Sequence, residues 1–243
     1  MDNTFILDIF KRKGSLKRRI ALKLFGVFNK YFKFFSIRLK ELYSGDMVNI
    51  EETININHLL NHVVWSDIPG DVVELGCHEG YTSITIQKTL DQSNSNKRLH
   101  VYDSFEGVPL PDKVDGTFLK RGDCDTTRDR LVNNFRMFGV RLPEIHAGWF
   151  KDTLPTQLPE KICFAHLDGD LYSSITESLE NVYPRLSRGA IVVVDDYTDP
   201  EVHSIHNILP GVKKACDDFF RDKKEKVNVL IAGERSHGYF RKE

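Results

Sequence analysis

Two short runs constrain this chain more than anything else in it. Residues 162–172 read ICFAHLDGDLY, and residues 190–196 read AIVVVDD. Each begins apolar and rich in β-branched residues, and each ends in paired acids. Ile162–Leu167 and Ala190–Val194 have the pattern of strands buried on both faces of a parallel sheet. Open α/β sheets bind ligands beyond the carboxyl ends of their strands. Asp168, Asp170, Asp195 and Asp196 are therefore expected at the functional edge. Four carboxylates there repel one another unless a proton or cation intervenes. A hard divalent cation such as Mg²⁺, which takes oxygen ligands, meets that demand. Capping of the following helices would account for one or two of these acids, but not for two pairs at two strand ends.

The segment DVVELGCHEG, residues 71–80, predicts a strand over 72–75 running into Gly76, with Gly80 ahead of a helix from Tyr81. Glu74, Gly76 and Gly80 form E-x-G-x-x-x-G, a turn through which a cofactor can approach backbone amides. It is not the G-x-G-x-x-G dinucleotide fingerprint, which disfavours NAD. A second strand over 99–102 ends at Asp103. An acid there suits two ribose hydroxyls, because one carboxylate accepts both hydrogen bonds; a helix N-cap is the alternative. Ser104 opens a loop containing Pro109 and Pro111, and residues 112–126 read as a loop over the site. Asp129–Phe138 reads as a helix and Ile145–His146 as a short strand. Gly148 and Trp149 follow it, and Trp149 can flank an adenine ring or belong to the core. Leu154-Pro155 and Leu158-Pro159 bracket a turn. A helix over 171–186, a turn Ser187-Arg188-Gly189, a helix over 210–221 and a closing antiparallel hairpin (227–231 with 238–240) complete the pattern. His58 and His62 stand four apart, but no third ligand accompanies them, so they read as core or surface histidines.

The net charge of −1 hides an asymmetry: residues 1–41 hold eleven Lys/Arg and three Asp/Glu, or +8, leaving −9 for the rest. Residues 16–43 carry Leu16, Ile20, Leu24, Val27, Tyr31, Phe35, Leu39 and Leu42 at steps of three or four, the spacing of an amphipathic helix. This gives three expected divisions: a basic helical arm (1–43), a joining region (44–70) and the catalytic domain (71–243). The arm can pack as a layer or lid on its own domain or on a dimer mate, which leaves a homo-oligomer open. Alternatively, residues 11–40 can lie on an anionic membrane surface. Nucleic-acid binding is disfavoured, since no recognition motif accompanies the charge. Cys77, Cys124, Cys163 and Cys216 lack C-x-x-C or zinc-finger spacing and read as reduced thiols. With neither a signal peptide nor an apolar run long enough to span a bilayer in view, the expected location is cytoplasmic, with the membrane's inner face as the peripheral option.

Five co-linear segments carry a resemblance: Tyr102-Asp103-Ser104-Phe105-Glu106-Gly107-Val108-Pro109, Gly148-Trp149-Phe150-Lys151-Asp152-Thr153-Leu154-Pro155, Leu167-Asp168-Gly169-Asp170-Leu171-Tyr172-Ser173-Ser174, Leu179-Glu180-Asn181-Val182-Tyr183-Pro184-Arg185-Leu186 and Val193-Val194-Asp195-Asp196-Tyr197. With Glu74, Gly76 and Gly80 they resemble the macrocin O-methyltransferase (TylF-like) family of sugar-modifying enzymes. The resemblance implies an α/β class I methyltransferase of Rossmann-like fold, with a mostly parallel sheet and a C-terminal antiparallel hairpin. It also implies S-adenosylmethionine (SAM) and Mg²⁺ as cofactors. Asp168, Asp195 and Asp196 are the implied metal ligands and Asp170 the implied base. Gly76, Gly80 and Asp103 are the implied SAM residues, and Glu74, Ser104, Gly148 and Trp149 beside them complete the expected SAM site. The implied acceptor is a sugar hydroxyl on a small glycoside or a lipid-linked glycan. The stretch Cys77-His78-Glu79 departs from the Arg-Gly-rich pattern of the family, and Asp199–Leu209 is longer than usual. Two rivals remain at this stage: a glycosyltransferase using Asp168-Gly169-Asp170 as a D-x-D motif, and a non-catalytic, membrane-associated SAM-binding protein.

Overall fold

The computed structural model describes residues 48–202 and 207–243, and Ile50–Glu243 forms one compact unit. The arm of residues 1–43, with its lid, interface and membrane readings, lies outside the described residues. Alternating strands and helices build a seven-stranded sheet flanked by two helical layers. In chain order the elements are α1 (Ile50–Trp65), β1 (Asp71–Leu75), α2 (Tyr81–Gln92), β2 (Leu99–Asp103), α3 (Arg128–Phe138), β3 (Glu144–Ala147), α4 (Phe150–Gln157), β4 (Ile162–Leu167), α5 (Tyr172–Val182), β5 (Leu186–Val194), α6 (Pro210–Phe220), β6 (Asn228–Ala232) and β7 (Arg235–Arg241). The sheet order is β3-β2-β1-β4-β5-β7-β6. The first five strands are parallel, and β7 runs antiparallel to both β5 and β6. The sheet reverses its winding between β1 and β4, so a crevice opens beyond their carboxyl ends.

The central strands are apolar throughout because both their faces are covered. One face packs Ile56 and Leu60 of α1, Ile84 and Leu90 of α2, and Leu131 and Phe135 of α3 against Val72, Val101 and Phe164. The other packs Leu154 of α4, Ile175 and Leu179 of α5, and Val212 of α6 against Val73, Leu167 and Val192. Local signals set several helix ends. Thr127 accepts from Arg130 N at the start of α3, and Gly139 closes that helix in the left-handed conformation. Pro210 occupies the first turn of α6, where its missing N–H costs nothing.

Three local expectations need correction. The joining region contains α1, whose Ile56, Leu60 and Val63 are fully buried. The supposed turn at Leu154-Pro155 is instead the eight-residue helix α4. Its first turn is held by Asp152 N and Thr153 N donating to the Trp149 carbonyl, each at 3.0 Å, and it is anchored by buried Leu154. The helix after Asp170 ends at Val182, because Tyr183–Arg185 tightens into a 3₁₀ turn around Pro184. Ser187-Arg188-Gly189 then lies inside β5. Gly189 sits at φ 86°, where a Cβ would stand 2.9 Å from Ile68 Cδ1, so only glycine passes there without displacement.

One polar seam crosses the apolar core. His166 Nδ1 lies 3.0 Å from Glu74 Oε1, and His166 Nε2 lies 3.7 Å from Asp195 Oδ2. His237 Nε2 lies 3.0 Å from Asp195 Oδ1. Ser83 Oγ donates to the other Glu74 oxygen. Glu74, His166 and His237 are buried, so these groups answer only to one another. Burial opposes charge on His166, but the hydrogen bonds and charges of Asp195 and Glu74 prevail and push its pKa up to about 10.

Replacing Leu60 by Ala should cost about 2–5 kcal/mol in urea unfolding, because the site is closed and α1 is core; a loss within about 0.5 kcal/mol would mean that α1 is a detachable joiner. The raised His166 pKa means that its proton binds the folded state more tightly than the unfolded one. That contribution is complete below the ordinary value of 6.5 and is lost as pH rises toward about 10. Wild-type stability should therefore fall across this window, and Glu74→Gln should flatten the fall.

Candidate active site

The carboxyl ends of β1, β2, β4 and β5 meet at one edge, and each delivers a residue expected from the sequence. The Gly76 amide donates to the Tyr102 carbonyl at 2.8 Å, and Asp168 N donates to the Leu75 carbonyl at 2.8 Å. A Cβ on Gly76, at φ 89°, would stand 1.7 Å from the Asp168 carbonyl oxygen. Glycine is thus required where the β1 turn crosses the start of the acidic segment. Gly80, at φ 84°, occupies the N-cap of α2 and closes the turn by donating to the Cys77 carbonyl at 2.7 Å.

Asp103 holds the turn from below. One of its oxygens accepts from His78 N at 2.8 Å and the other from Phe105 N at 2.7 Å. Each oxygen keeps a lone pair for a further donor. Burial raises the Asp103 pKa, while those two amides pull it back. Ser104 is occupied within its own loop: its hydroxyl donates to the Gly107 carbonyl and accepts from Glu106 N, both at 3.0 Å. Gly148 N donates to the Asp103 carbonyl at 2.9 Å, which places Trp149 at the head of α4 beside the end of β2. Glu74 belongs to the buried seam under the turn, with both oxygens engaged.

The four acids divide unequally. Asp168, Asp170 and Asp196 each offer an oxygen, and these three atoms lie within 4.8 Å of one another. Asp168 also falls within 4.8 Å of ligand atoms of His166 and Asp195. Asp195 turns toward the seam, its side chain 12% exposed, with one oxygen also accepting from Asp196 N at 2.9 Å. Asp170 and Asp196 have φ values of 60° and 52°, a strained conformation for a residue with a side chain, held here by the surrounding fold. Burial and then the charges of the neighbouring acids push Asp168 and Asp196 well above the usual carboxylate range, and raise Asp170 to about 7. Asp195 goes the other way: burial opposes its charge, but His237 and His166 hold it well below that range. The set offers hard oxygen donors to a divalent cation, whose charge would relieve the repulsion.

Sequence reading missed four contributors. His166 and His237 sit within strands and carry no motif, so nothing local marks them. Cys124, in the left-handed region at φ 61°, feels the charges of Asp170 and Asp168 and, mainly through burial, is pushed up to about 12. Asp115 is buried and accepts from Asp112 N and from Tyr172 N at the start of α5, each at 2.7 Å. It latches the loop expected over the site to the helix that follows the D-G-D run. The loop is also closed on itself, with Val108 N on the Asp123 carbonyl and Gly122 N on the Val108 carbonyl, both at 2.9 Å. The Asp123 carboxylate accepts from Lys120 N at 2.8 Å, which commits it to that turn.

Comparison with known proteins gives the same reading. The profile of the macrocin O-methyltransferase (TylF) family matches residues 43–242. Demethyldecarbamoylnovobiocin O-methyltransferase of Streptomyces niveus is 30% identical over 206 residues, covering 81% of this chain and 75% of its own. An 8-demethyl-8-(2,3-dimethoxy-α-L-rhamnosyl)-tetracenomycin-C 4′-O-methyltransferase of Streptomyces olivaceus is 34% identical over 161 residues, 62% of each chain. Among solved structures, the O-methyltransferase NovP superposes with a TM-score of 0.68 at 26% identity, covering 81% of both chains. The calicheamicin methyltransferase CalS11 superposes at 0.65 and 20% identity, covering 84% of this chain and 90% of its own, which is a likeness of fold. The glycosyltransferase reading of Asp168-Gly169-Asp170 finds no support among these relatives. A glycine turn, a strand-2 acid and two acidic strand ends at one edge, with a profile match over nearly the whole described unit, place this chain in the macrocin O-methyltransferase family, as an O-methyltransferase of class I fold.

Proposed function

We propose that this enzyme transfers a methyl group from SAM to a hydroxyl of a sugar carried on a larger molecule, with a divalent cation, Mg²⁺, at the acidic edge. The observation that carries the reading is the convergence of Asp168, Asp170 and Asp196 beside the turn built from Gly76, Gly80 and Asp103. The tetracenomycin-C methyltransferase named above carries a rhamnosyl group in its printed name, which supports a sugar-bearing acceptor.

SAM, when bound, supplies an electrophilic methyl group on a sulfonium. The remaining lone pairs of Asp103 suit the two ribose hydroxyls. Trp149 stands at the end of the neighbouring strand, where an aromatic face can cover the adenine. Gly76 leaves the β1 turn open toward the rest of the cofactor.

Mg²⁺, when bound, supplies the positive charge that lowers the energy of a developing alkoxide. Asp168 and Asp196 are the central ligands, and Asp195, kept ionised by His166 and His237, completes the set. The all-oxygen donor group and the upward push on Asp168 and Asp196 fit a hard divalent cation. Asp170 takes the proton from the acceptor hydroxyl onto its carboxylate. Its carboxylate lies within 4.8 Å of the Asp168 and Asp196 oxygens, close enough to serve a hydroxyl held at the cation. The latched loop from Val108 to Asp123 presents exposed Leu110 and Phe118, an apolar rim for the acceptor.

Asp170→Asn should lower turnover by roughly 10²- to 10⁴-fold while sparing Mg²⁺ binding measured by calorimetry. Loss of Mg²⁺ binding in that variant would make Asp170 the third ligand in place of Asp195. Asp168→Asn and Asp196→Asn should abolish both, and EDTA should silence the wild type until Mg²⁺ is restored. SAM or its demethylated product should raise the melting temperature where UDP-sugars do not. Asp103→Asn should weaken SAM by about tenfold. Unchanged activity in EDTA would remove the metal from the reading.

A further inference from the structure

On the outermost parallel pair of the sheet, β2 and β3 bring a second set of ligands together. His100 pairs in register with Glu144, and Tyr102 with His146. Along β2, His100 stands three residues before Asp103, roughly 10 Å away at the usual rise of a strand. His100 Nδ1 lies 3.3 Å from His146 Nε2 and 3.4 Å from Glu144 Oε2. One ligand atom from each of the three lies within 4.8 Å of the others. None of these residues has a part in methyl transfer as derived above.

The protons on the two rings are what make this arrangement informative. His146 Nδ1 lies 2.9 Å from Gln157 Oε1, an acceptor, so Nδ1 carries the hydrogen and Nε2 presents a lone pair. His100 is buried, and its Nε2 makes no hydrogen bond but lies 3.5 Å from Asp71 Oδ2. Its Nδ1 faces two acceptors, the His146 Nε2 lone pair and Glu144 Oε2, and forms a hydrogen bond with the first. Two imidazole nitrogens and a carboxylate oxygen therefore converge on one small volume, and the hydrogen shared between the rings is what an entering cation would displace. The Glu144 carboxylate is steadied from outside by Arg98, 3.0 Å from its other oxygen.

We propose that His100, Glu144 and His146 form a second metal site, for zinc or a similar divalent transition ion, on the edge strand and separate from the methyl-transfer centre. Neighbouring donors in a tetrahedral zinc site with bonds of about 2.0–2.1 Å stand about 3.3–3.4 Å apart, the spacing found here. Two imidazoles and one carboxylate select zinc-like ions, while the all-oxygen centre proposed above selects Mg²⁺. Gln157 supplies the outer hydrogen bond that orients a metal-bound histidine. His146 also stacks on Tyr102 with ring centroids 4.4 Å apart, which further fixes its orientation. The ion ties β3 to β2, while Gln157 joins α4 to the same cluster. Water fills the remaining coordination position.

The test uses the full-length protein, stripped of metal, loaded with Zn²⁺ and dialysed against excess Mg²⁺, with zinc measured by plasma mass spectrometry. Wild type and Asp168→Asn should each retain one zinc per chain, and His146→Ala and Glu144→Gln should retain none. Gln157→Leu should weaken zinc by roughly 10- to 100-fold. Zn²⁺ should raise the melting temperature of wild type and not of Glu144→Gln, a substitution at an exposed position that leaves the fold intact. Methyl transfer in Mg²⁺ should be unchanged in Glu144→Gln. Co²⁺ in place of Zn²⁺ should give the intense visible bands of a tetrahedral site. Equal zinc retention in His146→Ala and Glu144→Gln, zinc loss confined to Asp168→Asn, or no retention by wild type would each overturn the proposal. The last result would leave the two histidines sharing a proton.

Discussion

A protonated histidine held between two carboxylates ties the middle of this molecule together. His166 stands on β4 between Glu74 on β1 and Asp195 at the end of β5, all but out of reach of water. Isolated, any of these charges would be costly to bury, and removing one partner from such a group leaves the others uncompensated. The arrangement therefore sets the relative positions of three neighbouring strands at the end where the chemistry lies. His237, arriving on antiparallel β7, braces the same aspartate from the far side. That gives the C-terminal hairpin a purpose beyond closing the sheet: it brings an imidazole to the second acidic pair.

The site above this seam is built from opposed electrostatic demands. Asp195 is satisfied from within the core, whereas Asp168, Asp170 and Asp196 crowd together and are driven toward protonation. The proposed divalent cation would reconcile them, because its charge offsets the repulsion among the crowded carboxylates. The backbone shares in the construction. Gly76 admits the Asp168 carbonyl where no side chain fits, and Asp170 and Asp196 accept strained dihedrals in order to aim their carboxylates. The sheet thus holds different chemistry in two places, oxygen donors beyond the carboxyl ends of β4 and β5 and paired imidazoles on β2 and β3.

Where local reading failed, distant contacts outweighed local signals. Pro155 looked like a turn residue, yet the burial of Leu154 and two bonds to the Trp149 carbonyl sustain a short helix. Gly189 looked like a turn and is a strained position inside a long strand, pressed against Ile68. Residues 50–65 looked like a connector because their hydrophobic spacing competes with His58 and His62 and several asparagines. The sheet face they cover decides the matter. The Ser104 hydroxyl and the Asp123 carboxylate each bond within their own loop.

The sequence alone determined the parallel sheet, its acidic edge and the glycine turn, because β-branched runs, paired acids and invariant steric needs of the backbone are local properties. It also carried the family, since five co-linear segments survive as a set. Tertiary structure alone decided what surrounds each acid. Asp195 and Asp196 are adjacent and identical in sequence, but one faces two histidines from β4 and β7 and the other faces Asp168 and Asp170. Charge state depends on what lies within a few ångströms in space, and residues 166, 195 and 237 become neighbours only when the strands are laid side by side.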